Sequence, residues 1–265
     1  MALKFCSFSS GSSGNCYFIQ TETTAILVDA GISAKKIKEG LAQIGTEAGT
    51  LRGLLLTHEH SDHIKSASTL LKQLPQMELF ANSETLEAAN LEIPGEEKVQ
   101  LVKSNRAFKI GDIMVTALPV SHDAANPVGY SFSSGSHQIT IITDTGYIPG
   151  ELFTEMGNAD LLVLEANYDS DMLKIGRYPW FLKQRIAGDR GHLSNEAAGE
   201  ALRQILAEHP KRRQVFLGHL SKENNFPDMA YQTVKNILEE KKYYIGKHLE
   251  LQTLLRDKIS GSFRV

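Results

Sequence analysis

Along this chain, short apolar runs end abruptly in residues that carry chemistry. Ala25-Ile26-Leu27-Val28 runs into Asp29, and Leu54-Leu55-Leu56 runs into Thr57-His58. Ile113 to Val120 leads to Ser121-His122-Asp123, and Gln138 to Thr143 leads to Asp144. Leu161 to Leu164 stops at Glu165, and Gln214 to Gly218 stops at His219. Runs of this length, rich in apolar and β-branched residues, predict strands. Further strands are expected near 2–8 and 15–20, with the strand of the first run covering 25–29 and that of the second 51–57. Helical spacing of Ile37, Leu41 and Ile44 predicts a helix over about 33–44. Other helices are expected at about 63–74 (stopping near Pro75), 195–208 with Ser194 as N-cap, and 227–241. A second strand-rich half covers roughly 98–165, and a short strand closes the chain. The order of elements predicts an α/β fold of four layers, an αββα sandwich, in one domain over 1–265.

Composition adds exclusions. A chain of 265 residues builds one such sandwich with a sizeable core. Cys6 and Cys16 are its two cysteines, which leaves no disulfide framework. The segment Met1-Ala2-Leu3-Lys4-Phe5 lacks the apolar core of a signal peptide, and no apolar stretch approaches the ~18 residues of a membrane span. A cytoplasmic enzyme without membrane insertion is expected. The formal net charge of −3 is no nucleic-acid signature, so any field that binds a polyanion has to be local. Ser9-Ser10-Gly11-Ser12-Ser13-Gly14 lies between two expected strands and reads as a hairpin turn, at the rim of whatever site the strand ends form.

The densest chemistry is Thr57-His58-Glu59-His60-Ser61-Asp62-His63. Three imidazoles and a carboxylate fall at the C-terminal end of a buried strand, where α/β sheets place their sites. His58 and His60 alternate along extended chain and suit one metal ion; Asp62 and His63, at the start of a helix, suit a second. All these donors are nitrogen or oxygen, a set compatible with Zn, Mn, Fe or Co.

The pattern His-x-His-x-Asp-His resembles the signature of the metallo-β-lactamase fold superfamily. That resemblance requires further ligands at later strand ends, which His122, Asp144 and His219 supply in order. It implies that His58, His60 and His122 hold one divalent ion, that Asp62, His63 and His219 hold another, and that Asp144 bridges them. It also implies an orienting role for Asp29 and attack by a bridging hydroxide, because two cations lower the pKa of a shared water.

Glu165 after its strand, and His192 within Gly191-His192-Leu193-Ser194, resemble the acid–histidine pair of the nuclease branch, which includes RNase J-like enzymes. Alone, the first could anchor a loop and the second could be a solvent-facing histidine. Together they suit catalysis, with His192, Glu165 and Asp62 as the catalytic residues and His192 as proton donor to a departing sugar oxygen. Between them, Lys174, Arg177, Lys183, Arg185 and Arg190 are interleaved with Tyr178, Trp180 and Phe181. That segment suits either phosphate contact with base stacking, or a helix core with a solvated face.

The inserted domain of RNase J-like enzymes has no room between Glu165 and His192. The chain as a whole resembles the compact WalJ/YycJ (VicX)-type proteins of Gram-positive bacteria, through Gly11-Ser12-Ser13-Gly14-Asn15-Cys16, Leu27-Val28-Asp29-Ala30-Gly31, Pro127-Val128-Gly129-Tyr130 and Gly218-His219-Leu220-Ser221. This implies a 5′-to-3′ exonuclease, on DNA rather than RNA, and a link to a cell-wall two-component system. Oligomeric state is open, a homo-oligomer included. The alternatives are a tRNase Z-like or small cyclic phosphodiesterase, a glyoxalase II-like thioesterase, and a non-enzymatic signalling partner. Asn15, Ser121, Asp123 and Asn126 are expected at the rim of the site, and His137, His209 and His248 on the surface.

Overall fold

A computed structural model describes residues 2–265. The first half comprises β1 (Lys4–Ser9), β2 (Cys16–Gln20), β3 (Ala25–Val28), α1 (Ala34–Gln43), β4 (Leu51–Leu55), α2 (Ser61–Ile64), α3 (Ala67–Gln73), β5 (Glu78–Ala81), α4 (Ser83–Ala89) and β6 (Val99–Leu101). The second comprises β7 (Ala107–Ile110), β8 (Ile113–Pro119), β9 (Val128–Ser134), β10 (His137–Ile142), α5 (Leu152–Asn158), β11 (Leu161–Glu165), α6 (Ser170–Ile175), α7 (Trp180–Ala187), α8 (Asn195–Glu208), β12 (Arg213–Gly218), α9 (Pro227–Glu240), β13 (Leu249–Thr253) and β14 (Phe263–Arg264).

The strands form two seven-stranded sheets, ordered β14-β1-β2-β3-β4-β5-β6 and β13-β12-β11-β10-β9-β8-β7. Strand periodicity explains the layering. Successive side chains point to opposite faces, so Ile26 and Val28 of β3 enter the core between the sheets while Leu27 packs outward under α1 and α3. Likewise Leu161 and Val163 of β11 face the inter-sheet core, and Leu162 and Leu164 face α8 and α9. Both faces are covered, which is why these strands read as continuous apolar runs. The expected αββα sandwich is therefore observed.

Two expectations need correction. Residues 63–74 form two helices rather than one. Ser66 interrupts them, because its N–H donates to Ala30 O and its hydroxyl lies 2.6 Å from Ile32 O, which pins the chain to the loop after β3. The second strand-rich half also starts later than residue 98: β6 pairs parallel with β5 at the edge of the first sheet. The closing strand is present, with Lys4 opposite Arg264 and Phe5 opposite Phe263. Both cysteines are free and buried, and burial pushes the Cys6 thiol up to about 11. Among the described residues, no helix is long and apolar enough to cross a membrane.

Candidate metal centre

Six strands deliver the site from their C-terminal ends: β3 gives Asp29, β4 the His58–His63 loop, β8 His122, β10 Asp144, β11 Glu165 and β12 His219. Three of these residues leave their strands through left-handed backbone, with φ of 61° at Asp29, 57° at Asp144 and 54° at His219. Asp and His tolerate that region better than most side chains, and three such turns around one cleft are typical of a functional site. Each turn carries the chain sharply off its strand and leaves the side chain inside.

The ligating atoms gather into two triads. His58, His60 and His122 form one, and Asp62, His63 and His219 the other, with the candidate atoms of each within 4.8 Å of one another. Asp144 lies between them. Its Oδ2 is 3.5 Å from His63 Nε2, and its Oδ1 is 3.8 Å from His122 Nε2. His58, His63, His122, Asp144 and His219 are buried, whereas His60 and Asp62 sit at the mouth.

What stands behind each imidazole selects its free nitrogen. His63 Nδ1 is 2.7 Å from Asp29 Oδ2, and Asp29 also accepts from Thr57 N–H at 2.9 Å. His122 Nδ1 donates to Gly191 O at 2.9 Å, which leaves Nε2 facing the cleft. His58 Nδ1 contacts Thr57 Oγ1 at 3.0 Å, and its Nε2 lies 3.1 Å from His60 Nδ1. Burial and the neighbouring imidazoles hold His58 well below the ordinary histidine range, in the neutral form a metal needs.

The second triad behaves oppositely. Burial pulls His63 down, but Asp144 and Asp29 outweigh it and hold the imidazole at about 9. Burial is likewise overcome at His219, where Asp144, Asp62 and Glu165 raise it well above its usual value. Against its own burial, Asp62 is held well below the carboxylate range by His219 and His63. Protons here occupy the place of cations. The fit to metal ions also shows in unpaired atoms: His219 Nε2 and Asp144 Oδ2 are buried without a hydrogen-bond partner. An orphaned buried donor or acceptor is costly, and coordination of an ion would satisfy both atoms.

Glu165 is fully buried and uses both oxygens. Oε1 accepts from His192 Nδ1 and from His219 Nδ1, each at 2.8 Å. Oε2 accepts from the backbone N–H of Thr145 at 2.8 Å and of Leu193 at 3.2 Å. Burial would raise this carboxyl, but His192 and His219 hold it well below its usual value. The expected Glu165–His192 pair is therefore present, and Glu165 in addition orients His219, a role not foreseen. His192 is partly exposed, with ring centroids 4.9 Å from His122 and 5.3 Å from His219.

Other contributions escape a reading along the sequence. Asn15, expected at the rim, is instead fully buried, and its amide reaches His63 Nε2 at 3.0 Å. Ser10 Oγ accepts from His219 N–H at 2.8 Å, and Asn167 Nδ2 donates to His219 O at 2.7 Å. Asn167 could have been noticed in Glu165-Ala166-Asn167; Ser10 had no signal beyond its glycine-rich turn. A Cβ on Gly31 would fall 1.6 Å from Asp62 O, so only glycine lets the loop after β3 pass the metal loop. Asp123 reaches the site, with Oδ1 3.3 Å from His122 Nε2, while Ser121 turns to Asp189 O and the Asn126 carbonyl accepts from Asn82. His137, His209 and His248 lie outside both triads.

The 174–190 segment resolves into parts. Trp180 and Phe181 are exposed at 70% and 71%, so they are not helix core. Most of the cations are already engaged: Lys174 with Asp171, Lys183 with Lys174 O, Arg185 with Asp123, and Arg190 with His122 O.

Residues 24–219, which span every candidate ligand, match the family described as Beta-lactamase superfamily domain. The metallo-β-lactamase fold protein YhfI of Bacillus subtilis shares the architecture, with a TM-score of 0.75 over 100% of both chains at 16% identity. The fold and the His/Asp clusters define a metal-dependent hydrolase of the metallo-β-lactamase superfamily. Within it, exodeoxyribonuclease WalJ of Streptococcus pneumoniae is 38% identical over 93% of this chain and 92% of its own. Exodeoxyribonuclease YycJ of Bacillus anthracis is 37% identical over 95% of each. The chain belongs to this WalJ/YycJ family.

Proposed function

We propose that this protein is a dinuclear-metal exodeoxyribonuclease that removes nucleotides from the 5′ end of DNA. The kinship to exodeoxyribonucleases supports the substrate class. The observation that carries the chemistry is the Glu165–His192 hydrogen bond at the mouth of the cleft, directly beside both triads. In this reading His58, His60 and His122 hold one ion and Asp62, His63 and His219 the other, with Asp144 between them. Zn, Mn and Fe all suit these donors. Two such ions would neutralise the scissile phosphate and supply a water activated near neutral pH.

The chain's own residues do the rest. Asp29, Thr57 and the Gly191 carbonyl fix which nitrogen His63, His58 and His122 present, and Glu165 does the same for His219. Glu165 fixes His192 at Nδ1, so Nε2 is the nitrogen that faces the departing oxygen. As the phosphorus–O3′ bond breaks, His192 protonates O3′. The released nucleotide keeps a 3′-hydroxyl, and the shortened strand gains a 5′-phosphate. Removing such a proton donor typically costs 10²–10⁴-fold.

The test is digestion of end-labelled, 5′-phosphorylated duplex DNA with Mn²⁺ or Zn²⁺. Stepwise loss from the 5′ end is expected, absent in Asp144→Ala and slowed in His192→Ala with metal content unchanged. Full activity in His192→Ala would remove it from the mechanism. Turnover of thioesters or small phosphodiesters but not DNA would move the protein to another hydrolase class.

A further inference from the structure

Two cavities border the ligand loops, and they are unlike. One is an open groove of about 540 Å³ with Asp62 and Glu59 at one end and Ser12, Ser13, Ser68 and Lys65 along its walls. Hydroxyls and a lysine suit a phosphodiester backbone, which needs many weak donors and no deep pocket. The other is a pocket of about 180 Å³ on the His192 side, with apolar walls from Tyr178, Leu182 and Ile186 and a polar end formed by Asp123 and Arg185. It is smaller than the range typical of drug-sized ligands. It takes one ring system.

We infer that this pocket seats the base of the 5′-terminal nucleotide, the one released in each cycle. The inference rests on the exonuclease reading. Cleavage at phosphorus–O3′ puts the departing nucleoside on the side of the proton donor, and His192 lines this pocket. Its chemistry is that of a base rather than of a phosphate. Its walls are apolar and aromatic, and at its polar end Asp123 Oδ1 is turned to His122 Nε2 at 3.3 Å and Oδ2 to Arg185, whose remaining N–H donors are free on its exposed side. A heterocycle edge offers complementary donors and acceptors, and its face stacks on a tyrosine ring. The size of the pocket also limits the cut. One nucleoside enters on this side, while the retained strand leaves along the larger groove past Asp62. Tyr178 and Leu182 are half-buried at the α6–α7 junction and on α7, outside the main cores, so both can be changed without opening the sandwich.

The measurement compares the first cut on 5′-phosphorylated DNA that ends in an intact nucleotide with the first cut on DNA that ends in an abasic one. Wild type should cut the abasic end about tenfold more slowly, the scale of one base–aromatic stack. Tyr178→Ala should lose that discrimination by slowing the intact end alone; Tyr178→Phe should restore it. Leu182→Trp, which fills the pocket, should slow the intact end and spare the abasic one, with metal content and Tm unchanged in every variant. Equal rates on both ends in wild type, or wild-type discrimination in Tyr178→Ala and Leu182→Trp, would overturn the pocket assignment while leaving the exonuclease in place. No digestion of either DNA would overturn the exonuclease reading, and this inference with it.

Discussion

Glu165→Gln tests how the centre is organised, because the substitution keeps shape and removes one charge. The wild-type carboxylate accepts four hydrogen bonds, two from backbone N–H groups of Thr145 and Leu193 and two from the imidazoles of His192 and His219. The backbone donors cannot reverse. A glutamine must therefore turn its carbonyl oxygen to them and its NH₂ to the two imidazoles. Each imidazole then accepts at Nδ1 and carries its proton at Nε2. For His219 that proton sits on the nitrogen facing Asp62, the one available to a metal. Loss of such an orienting partner typically costs tenfold to a hundredfold in metal affinity, about 1.4–2.7 kcal/mol. His192 also loses the carboxylate that receives its Nδ1 proton, so turnover should fall as it does in His192→Ala. The assay is metal content after dialysis against graded chelator, read beside the DNA rate. Glu165→Gln should release one ion at lower chelator concentration than wild type, and His192→Ala should not. If Glu165→Gln holds both ions as tightly as wild type and loses only turnover, the carboxylate serves His192 alone and this reasoning is wrong.

Gly31→Ala should destabilise the fold by about 1–3 kcal/mol or more and weaken the second triad, because its Cβ meets the Asp62 carbonyl and the Asn15 N–H in backbone that cannot swing away; wild-type Tm and metal content would contradict this. Arg213 is buried, and its guanidinium donates to Met156 O, His209 O and Lys211 O, so Arg213→Met should cost about 3 kcal/mol in urea unfolding with little change in metal content. In the metal-free protein, the raised His63 pKa stabilises the fold by about 3 kcal/mol below about pH 6.5, and this is lost as pH rises through about 9. Metal must displace the same proton, so apparent affinity should climb over that window; a flat chelator-competition profile would show that His63 is neutral before the ion arrives.

The candidate ligands that the fold brings together were legible because each lies at or just after the end of an apolar run, a pattern confined to a few consecutive residues. Layer order was legible for a related reason, since strands buried on both faces read as unbroken apolar stretches. What holds the ligands was not. Asn15 meets His63, Ser10 meets His219 and Gly191 meets His122 across 48, 209 and 69 positions of sequence, and no local pattern encodes such contacts. The basic run at 174–190 carries less unpaired charge than its composition suggests. Arg190 and Arg185 are clamps on the His122–Asp123 loop, and Trp180 and Phe181, which spacing alone assigns equally well to a core, are exposed.

Each triad draws on both halves of the chain. His58 and His60 come from the loop after β4 and meet His122 from β8; Asp62 and His63 come from the same loop and meet His219 from β12. Asp144 joins them from β10. An ion held in either triad would tie the strand ends of one sheet to those of the other, and its binding energy would become cohesion between the sheets. Without ions, part of that role falls to protons on His63 and His219, held by Asp29, Asp62, Asp144 and Glu165. The inter-sheet core formed by residues such as Tyr17, Val28, Tyr130 and Phe132 does not depend on metal. Loss of metal should therefore loosen the loops at the rim before the sandwich itself, and those loops include the Glu59–Ala125 and Arg185–Asp123 contacts that shape the way in to His192.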